Sequence, residues 1–533
     1  MRKKLPTLIN SFCVLLCVIA VQNTIAQIAP GGVTSGLSLW LKAEEDFTYN
    51  NATNAQWLDQ SSNSYVLNSN LVLGSDGISS PTYSSNSINF NSGITFDGID
   101  TGLSTGTNIT GFDYSQWSAF SVQTIADPNV SNCVWHYSKP SNTFALFIDP
   151  NSTGFNIAVN NTSDGLITTP LLNDSKPYIV GYAADNQSSA TYVNNKTVHS
   201  GSGKSSLPGD GAFMVGLDAD GGEGVDGDNH LDGDVGEIII YNQKLSEIDR
   251  QKVSSYLSIK YGITLDQTTV TNYIDSNGTT IWDASSNLIY TNDVFGIGTD
   301  SNSGLTQKVS QSANNSNSPI LSTTQHFTLP NTDGIRTVSL EAGSFLMMGH
   351  NNEAEAFNLD YNGETNNRYS RVWKLDKTGV VNSVFLAIPK AAYNFPSGVP
   401  ILIQSNDEDF VEDVIEIELN DDGTHYWAQI DPTVAQYVTF ASTFTLSTEN
   451  NQFSAFTVYP NPVVDEVVIV FDKNKNSEVQ IELYSLTGKK VMSRKVNTSL
   501  GYSKFDLTNL TSGVYILKIN NGKHLEVNKL IKK

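Results

Sequence analysis

Three Asp-x-Asp pairs stand within seventeen residues: Asp218/Asp220, Asp226/Asp228 and Asp232/Asp234, with Glu223 among them and glycines throughout. Calcium takes six to eight hard oxygens from flexible loops, and glycine lets backbone carbonyls join the set. From Asp226 the run matches EF-hand loop positions 1, 3, 7, 9 and 12, ending at Glu237. It departs at His230 and at Leu231, where that loop needs glycine, and no helix precedes it, so an EF-hand is excluded. Two readings remain: an edge-loop calcium site built from Asp218, Asp220, Asp226, Asp228, Asp232 and Asp234, or a solvated acidic turn. Mutual repulsion of so many carboxylates leans toward the ion.

Other chemistry is sparse. Asp234 and Glu237 are three apart, which in a regular strand puts them on opposite faces. There is no HExxH, GxSxG or CxxC, and GSGKSS at 201–206 lacks the first glycine of a phosphate loop. Seven histidines are scattered without ligand spacing. Tyr65, Tyr114 and Trp117 lie in polar, turn-rich stretches and are candidate stacking platforms for a ligand, whereas Trp40 and Trp373 sit in strands and read as core. Cys13 and Cys17 fall in the leader described below, so Cys133 is left alone and reads as a small buried hydrophobe.

These residues must be positioned by β-structure. The acidic loop feeds a strand, Val235–Tyr241, with three consecutive isoleucines. A helix over 246–261 follows, with Ser246 as cap, Asp249 completing a capping box and Gly262 as terminator. Its apolar face is read as Ile248, Val253, Tyr256 and Leu257. Short alternating strands precede it (GLSLWLKA, AFSVQTIA, TFALFIDP), and Asn194-Asn195 is a hairpin turn pair. The pattern argues an antiparallel sandwich with the helix on its outside. Further on, DVIEIELNDDGTHYWAQID reads as a single hairpin turning at Asp421-Asp422-Gly423.

Residues 1–26 read as a secretory signal: Arg2, Lys3 and Lys4, an apolar run over Leu8–Ala20, and small Thr24 and Ala26 before the cut. No later run is long enough to span a membrane, so no transmembrane segment is expected in the mature chain. Charge is uneven. Residues 27–452 hold 16 basic and 47 acidic side chains, a net −31, while 453–533 hold 12 and 7, a net +5. So acidic a body excludes nucleic acid as a partner.

The order GLSLWLKAE, WLDQSSN, FDG, TYVNNKTV, LDGDVGEIIIYNQKLS, YLSIKYGITL resembles a laminin-G-like, concanavalin-type jelly roll of the kind common in secreted Bacteroidetes proteins. The resemblance implies a sandwich of twelve to fourteen strands that binds glycans or proteins. Glycosidases of that superfamily carry ExDxxE on one strand, and this chain has no such run. GIGTD, LTQKVS, FLMMGHNN and RVWKLD resemble an uncharacterised module that follows this jelly roll. FTVYPNPVVDEVVIVF, IELYSLTGKKV and FDLTNLTSGVYILKI resemble a type A C-terminal sorting domain of the type IX secretion system. There Tyr459, Pro460, Asn461, Pro462, Gly488 and Gly513 carry the signal, and the secretion machinery is the implied partner.

The expectation is therefore an all-β chain. It comprises a signal (1–26), a concanavalin-like jelly-roll sandwich closed by the helix (27–266), a second β-rich domain (267–447), a linker (448–455) and an Ig-like β-sandwich sorting domain (456–533). The expected protein is secreted or held on the outer cell surface, via the periplasm. It binds a glycan or a surface protein through the jelly roll, with calcium as the one cofactor in view. A divergent glycoside hydrolase and a structural surface component are the alternatives.

Overall fold

The structure is a computed structural model. It describes residues 28–533 except 45–46, 52–53, 72–78, 107–115, 128–129, 131, 140–141, 150–153, 160–161, 167–174, 203–210, 218–229, 444–455, 472–477 and 521–524. The expected leader, Tyr114, Asp218, Asp220, Asp226 and Asp228 lie outside the described residues. Among the described residues the chain is all-β with one long helix, α1 (Glu247–Tyr261). It divides into two compact units, Met1–Thr443 and Phe444–Lys533.

The first unit opens with a jelly-roll sandwich of an eight-stranded and a nine-stranded sheet. Asp232–Tyr241 is central to the eight-stranded sheet. One edge runs along Trp117–Gln123, while the other pairs first with Asn91–Asp97 and then with Leu37–Lys42. Alternation decides which side chains enter the sandwich. Leu39, Leu41, Ile94, Phe96, Val235, Ile238 and Ile240 point inward to one buried cluster. Trp40, Ile239 and Tyr241 point outward into a second cluster beneath α1.

The register slips between Val235 and Glu237, a β-bulge at Gly236. The extra residue changes the parity. Asp232, Asp234 and Glu237 all face outward, which corrects the regular-strand expectation that Asp234 and Glu237 oppose each other. Glycine is required at the bulge because Tyr261 packs onto it, and a Cβ there would lie 2.7 Å from the ring's Cε1.

Helix α1 starts and stops where its sequence says. Ser246 Oγ accepts from the Asp249 N–H at 3.2 Å, and Gly262 takes the left-handed conformation at φ 66°. Val253, Tyr256 and Leu257 are buried, but Ile248 is 49% exposed, so it does not belong to the packed face. The helix lies on the outer face of the jelly roll, as expected, and a second sandwich covers its far side. Val294, Phe345 and Met347 of that sandwich, with Trp282 of a two-stranded sheet beside it, share one hydrophobic cluster with Leu257 and Trp40.

The second sandwich pairs a nine-stranded with a five-stranded sheet around Phe295, Leu346, Trp373, Leu386 and Phe440. The expected single hairpin over 413–431 is corrected. Ile415–Glu418 pairs with Val399–Ser405 in the larger sheet, and only Asn420–Asp421 turns back onto His425–Ile430 in the smaller one. The chain changes sheets at Leu419, whose N–H donates to Pro400 O at 3.0 Å and whose side chain is buried. The second unit is a sandwich of three and four strands around Val467, Ile481, Leu483, Phe505 and Leu517.

One buried ion cluster ties α1 to the jelly roll. Lys260 Nζ lies 2.9 Å from Glu237 Oε1 and 2.6 Å from Glu44 Oε1. Tyr256 OH donates to Glu237 Oε1 at 2.6 Å, and Trp40 Nε1 approaches it at 3.4 Å. Burial opposes the charge on Lys260, but the two carboxylates outweigh it and hold the ammonium well above the usual lysine range. Lys260, aided by Lys42, lowers Glu44 to about 2 against the cost of burial.

Breaking a buried pair by removing one partner costs about 3–5 kcal/mol, because the other charge is stranded. Lys260→Met is therefore expected to lower the unfolding free energy of the first unit by that order. Adding Glu237→Leu should restore most of it, and calorimetry or urea titration reads both. Glu44 gives a pH test. Its folded pKa is depressed, so its contribution is complete above the unfolded value of 4.5 and is lost as pH falls toward about 2. That contribution is at most on the order of 3 kcal/mol. Glu44→Gln should lower stability at neutral pH and flatten its decline over the acid range.

Candidate functional site

A cleft of about 620 Å3 opens where the outer face of the eight-stranded sheet meets the second sandwich. One wall is Asp232 and Asp234 with Thr95 and Ser87 on neighbouring strands and Thr124 just past the end of Trp117–Gln123. The other wall is the Gln311–Ser316 segment, and the tip of the Thr82–Asp97 hairpin closes one side. That tip is Asn89-Phe90, both at positive φ (47° and 62°). Asn89 Nδ2 donates to Lys260 O at 3.1 Å and its Oδ1 accepts from the Gln311 N–H at 2.8 Å. The hairpin thus caps α1 and fixes the far wall in one step.

The two aspartates differ. Asp234 is fully engaged: Ser87 Oγ donates to one oxygen at 2.6 Å and Thr95 Oγ1 to the other at 2.5 Å. The Asp232 carboxylate has no hydrogen-bond partner among the described residues, although its backbone N–H donates to Asn132 Oδ1 at 2.8 Å. Burial, then Asp127 and Asp97, push its carboxyl above the usual aspartate range. Asp97 is itself held by the Ile99 N–H at 3.0 Å and by Thr101 Oγ1 at 2.8 Å.

A second cleft of about 630 Å3 lies where the Asn194-Asn195 turn meets the second sandwich. Its charges answer one another. Lys196 pairs with Asp266 at 3.3 Å, Arg371 with Glu355 at 2.5 Å, and His350 Nε2 with Asp293 at 3.0 Å. His350 Nδ1 accepts the Asn352 N–H at 2.9 Å, so both ring nitrogens are occupied. The arrangement braces the join between the sandwiches.

Of the sequence-predicted aspartates, the structure brings Asp232 and Asp234 to one cleft. Among the described residues no group of three or more His, Cys, Asp or Glu side chains is arranged to hold a metal. Trp117 is no platform. Its strand parity turns it inward, it is 2% exposed, and it packs at a tilt against Tyr182 at a centroid distance of 4.5 Å. Tyr65 is half-buried against the same core. Burial and Asp59 push its phenol up.

Sequence reasoning missed Ser87, Thr95, Thr124 and the 311–316 segment. They come from separate strands and loops, and nothing local marks them.

In the second unit, Asn461 staples the Tyr459–Pro462 motif to the last strand. Its Oδ1 accepts from the Ile531 N–H at 2.9 Å and its Nδ2 donates to Lys529 O at 2.7 Å. Gly488 turns at φ 80° between two strands of the four-stranded sheet, and Gly513 begins the next. No helix among the described residues is long and apolar enough to cross a membrane.

Residues 249–436 match a family described as a domain of unknown function (DUF8202), so that match begins inside α1. No curated protein matches the chain. Solved structures with similar parts include a heptameric SAP-like pentraxin from Limulus polyphemus. It shares 13% identity over 31% of this chain and 80% of the pentraxin, at a TM-score of 0.26. Domain 4 of AbnA, an extracellular arabinanase from Geobacillus stearothermophilus solved with arabinotriose, shares 12% identity over 42% of this chain and 99% of that domain, at 0.33. The CBM40 of a Ruminococcus gnavus sialidase, bound to sialyllactose, shares 15% over 30% and 95%, at 0.23. Likeness this distant carries no argument about ligand. Residues 457–533 match the secretion system C-terminal sorting domain, so this chain is exported to the cell surface or beyond it.

Proposed function

We propose that the protein is an exported surface protein that binds carbohydrate in the cleft between its two sandwiches. The carrying observation is the cleft's composition. Hydroxyls, amides and two carboxylates line a depression of about 620 Å3, with Ile88, Phe90, Ile125 and Pro177 as apolar patches. Sugars present the complementary mixture of hydroxyls and C–H faces, and small-ligand sites span about 300–1,000 Å3. A glycan array probed with the full chain is expected to give saturable binding that Gln311→Ala weakens. Silence across bacterial, plant and host glycans contradicts the reading.

A second reading, glycoside hydrolysis, is favoured by one observation. Asp232 and Asp234 share a face of the strand about 6.6 Å apart along it, within the range of catalytic carboxylate pairs. Asp232 is pushed up, as a general acid needs. Release of reducing ends from any bound glycan, abolished by Asp232→Asn, would establish hydrolysis. Binding without release restricts the site to recognition.

Export is tested separately. Deletion of Phe456–Lys533 removes a separate compact unit. The truncated chain is expected to accumulate in the periplasm with an unchanged melting temperature for the remainder. Undiminished delivery to the surface contradicts the role given to the tail.

A further inference from the structure

We propose that the cleft selects a ligand carrying a protonated amine, an amino sugar, and that the Asp232 carboxylate anchors that amine; this rests on the carbohydrate reading above. The argument begins with the contrast between the two clefts. In the one beside the Asn194-Asn195 turn, every lysine, arginine and histidine is matched to a carboxylate of the protein itself. In the other, Asp232 and Asp234 are the only charged residues among the described lining, and no lysine, arginine or histidine answers them.

Asp234 is already consumed by two hydroxyls, at 2.6 and 2.5 Å. Asp232 has no such partner. It stands opposite Asp97 in the sheet register, and both Asp97 and Asp127 act on it electrostatically. A carboxylate facing two others, half-screened by the cleft walls, is stabilised by an incoming cation and destabilised by an incoming anion. A free ammonium on a sugar ring supplies the cation. A uronic or sulfated sugar meets like charge at the same point.

The test uses the full chain and three β-1,4-linked hexamers that differ only at C2: glucose, N-acetylglucosamine and glucosamine. Titration calorimetry at mildly acidic pH keeps the amines protonated. The glucosamine hexamer is expected to bind about tenfold more tightly than the other two. Asp232→Asn should bring all three to one affinity, with thermal unfolding unchanged. That substitution removes a single charge from a chain of net −23, so diffuse attraction to an acidic protein survives it.

Equal affinities in the wild type, or an amine preference that persists in Asp232→Asn, overturn the inference while leaving carbohydrate binding in place. Silence from all three hexamers also overturns it. The neutral glycans of the array then decide whether the carbohydrate reading falls too.

Discussion

A single ammonium, Lys260, is buried between two carboxylates from distant parts of the chain. Glu237 belongs to the strand that closes the jelly roll and Glu44 follows the strand that opens it, while Lys260 lies in the last turn of α1. Three charges taken from water are tolerable only if each is well paired. That requirement fixes the helix against the sheet in one rotation and one register. Tyr256 and Trp40 add donors to Glu237 Oε1, while its Oε2 is buried with no hydrogen-bond partner among the described residues.

The rest of the first unit follows from where α1 is held. The second sandwich packs its own apolar residues onto the helix, so the two sandwiches share one hydrophobic cluster. The hairpin tip at Asn89 ties into the same place, bonding the helix end and the Gln311 backbone together. The cleft is what remains of the jelly-roll face that the helix does not cover. Its inner wall exists because the bulge at Gly236 turns Asp232 and Asp234 outward along with Glu237. Its outer wall exists because the second sandwich is docked on the helix. A cleft built this way belongs to both sandwiches, and the sorting domain is a separate unit that directs the chain outward.

Much of this was legible locally. The cap at Ser246, the left-handed Gly262, the Asn194-Asn195 turn and the buried Trp40, Trp373 and Cys133 depend on neighbours in sequence or on simple alternation. The sorting tail was legible from its motif blocks. What failed depended on distant partners. A bulge changes strand parity without leaving a mark stronger than one glycine, so the outward pairing of Asp234 and Glu237 was missed. Trp117 sits beside a polar stretch, yet its strand turns it into the core. Ile415 and Ile417 alternate as a hairpin arm should, but their partner is Val399–Ser405, on the other side in sequence from the turn. Lys260 was not singled out in the sequence. Only the fold brings Glu44 to it.

The central claim is that ligand enters between the Asp232–Tyr241 strand and the Gln311–Ser316 segment. A crystal structure of the chain with its tightest-binding oligosaccharide tests it most directly. The account predicts sugar density in contact with Asp232 on one side and with Gln311 or Ser316 on the other. Density confined to another face of the jelly roll, with this cleft empty at saturating ligand, would contradict it.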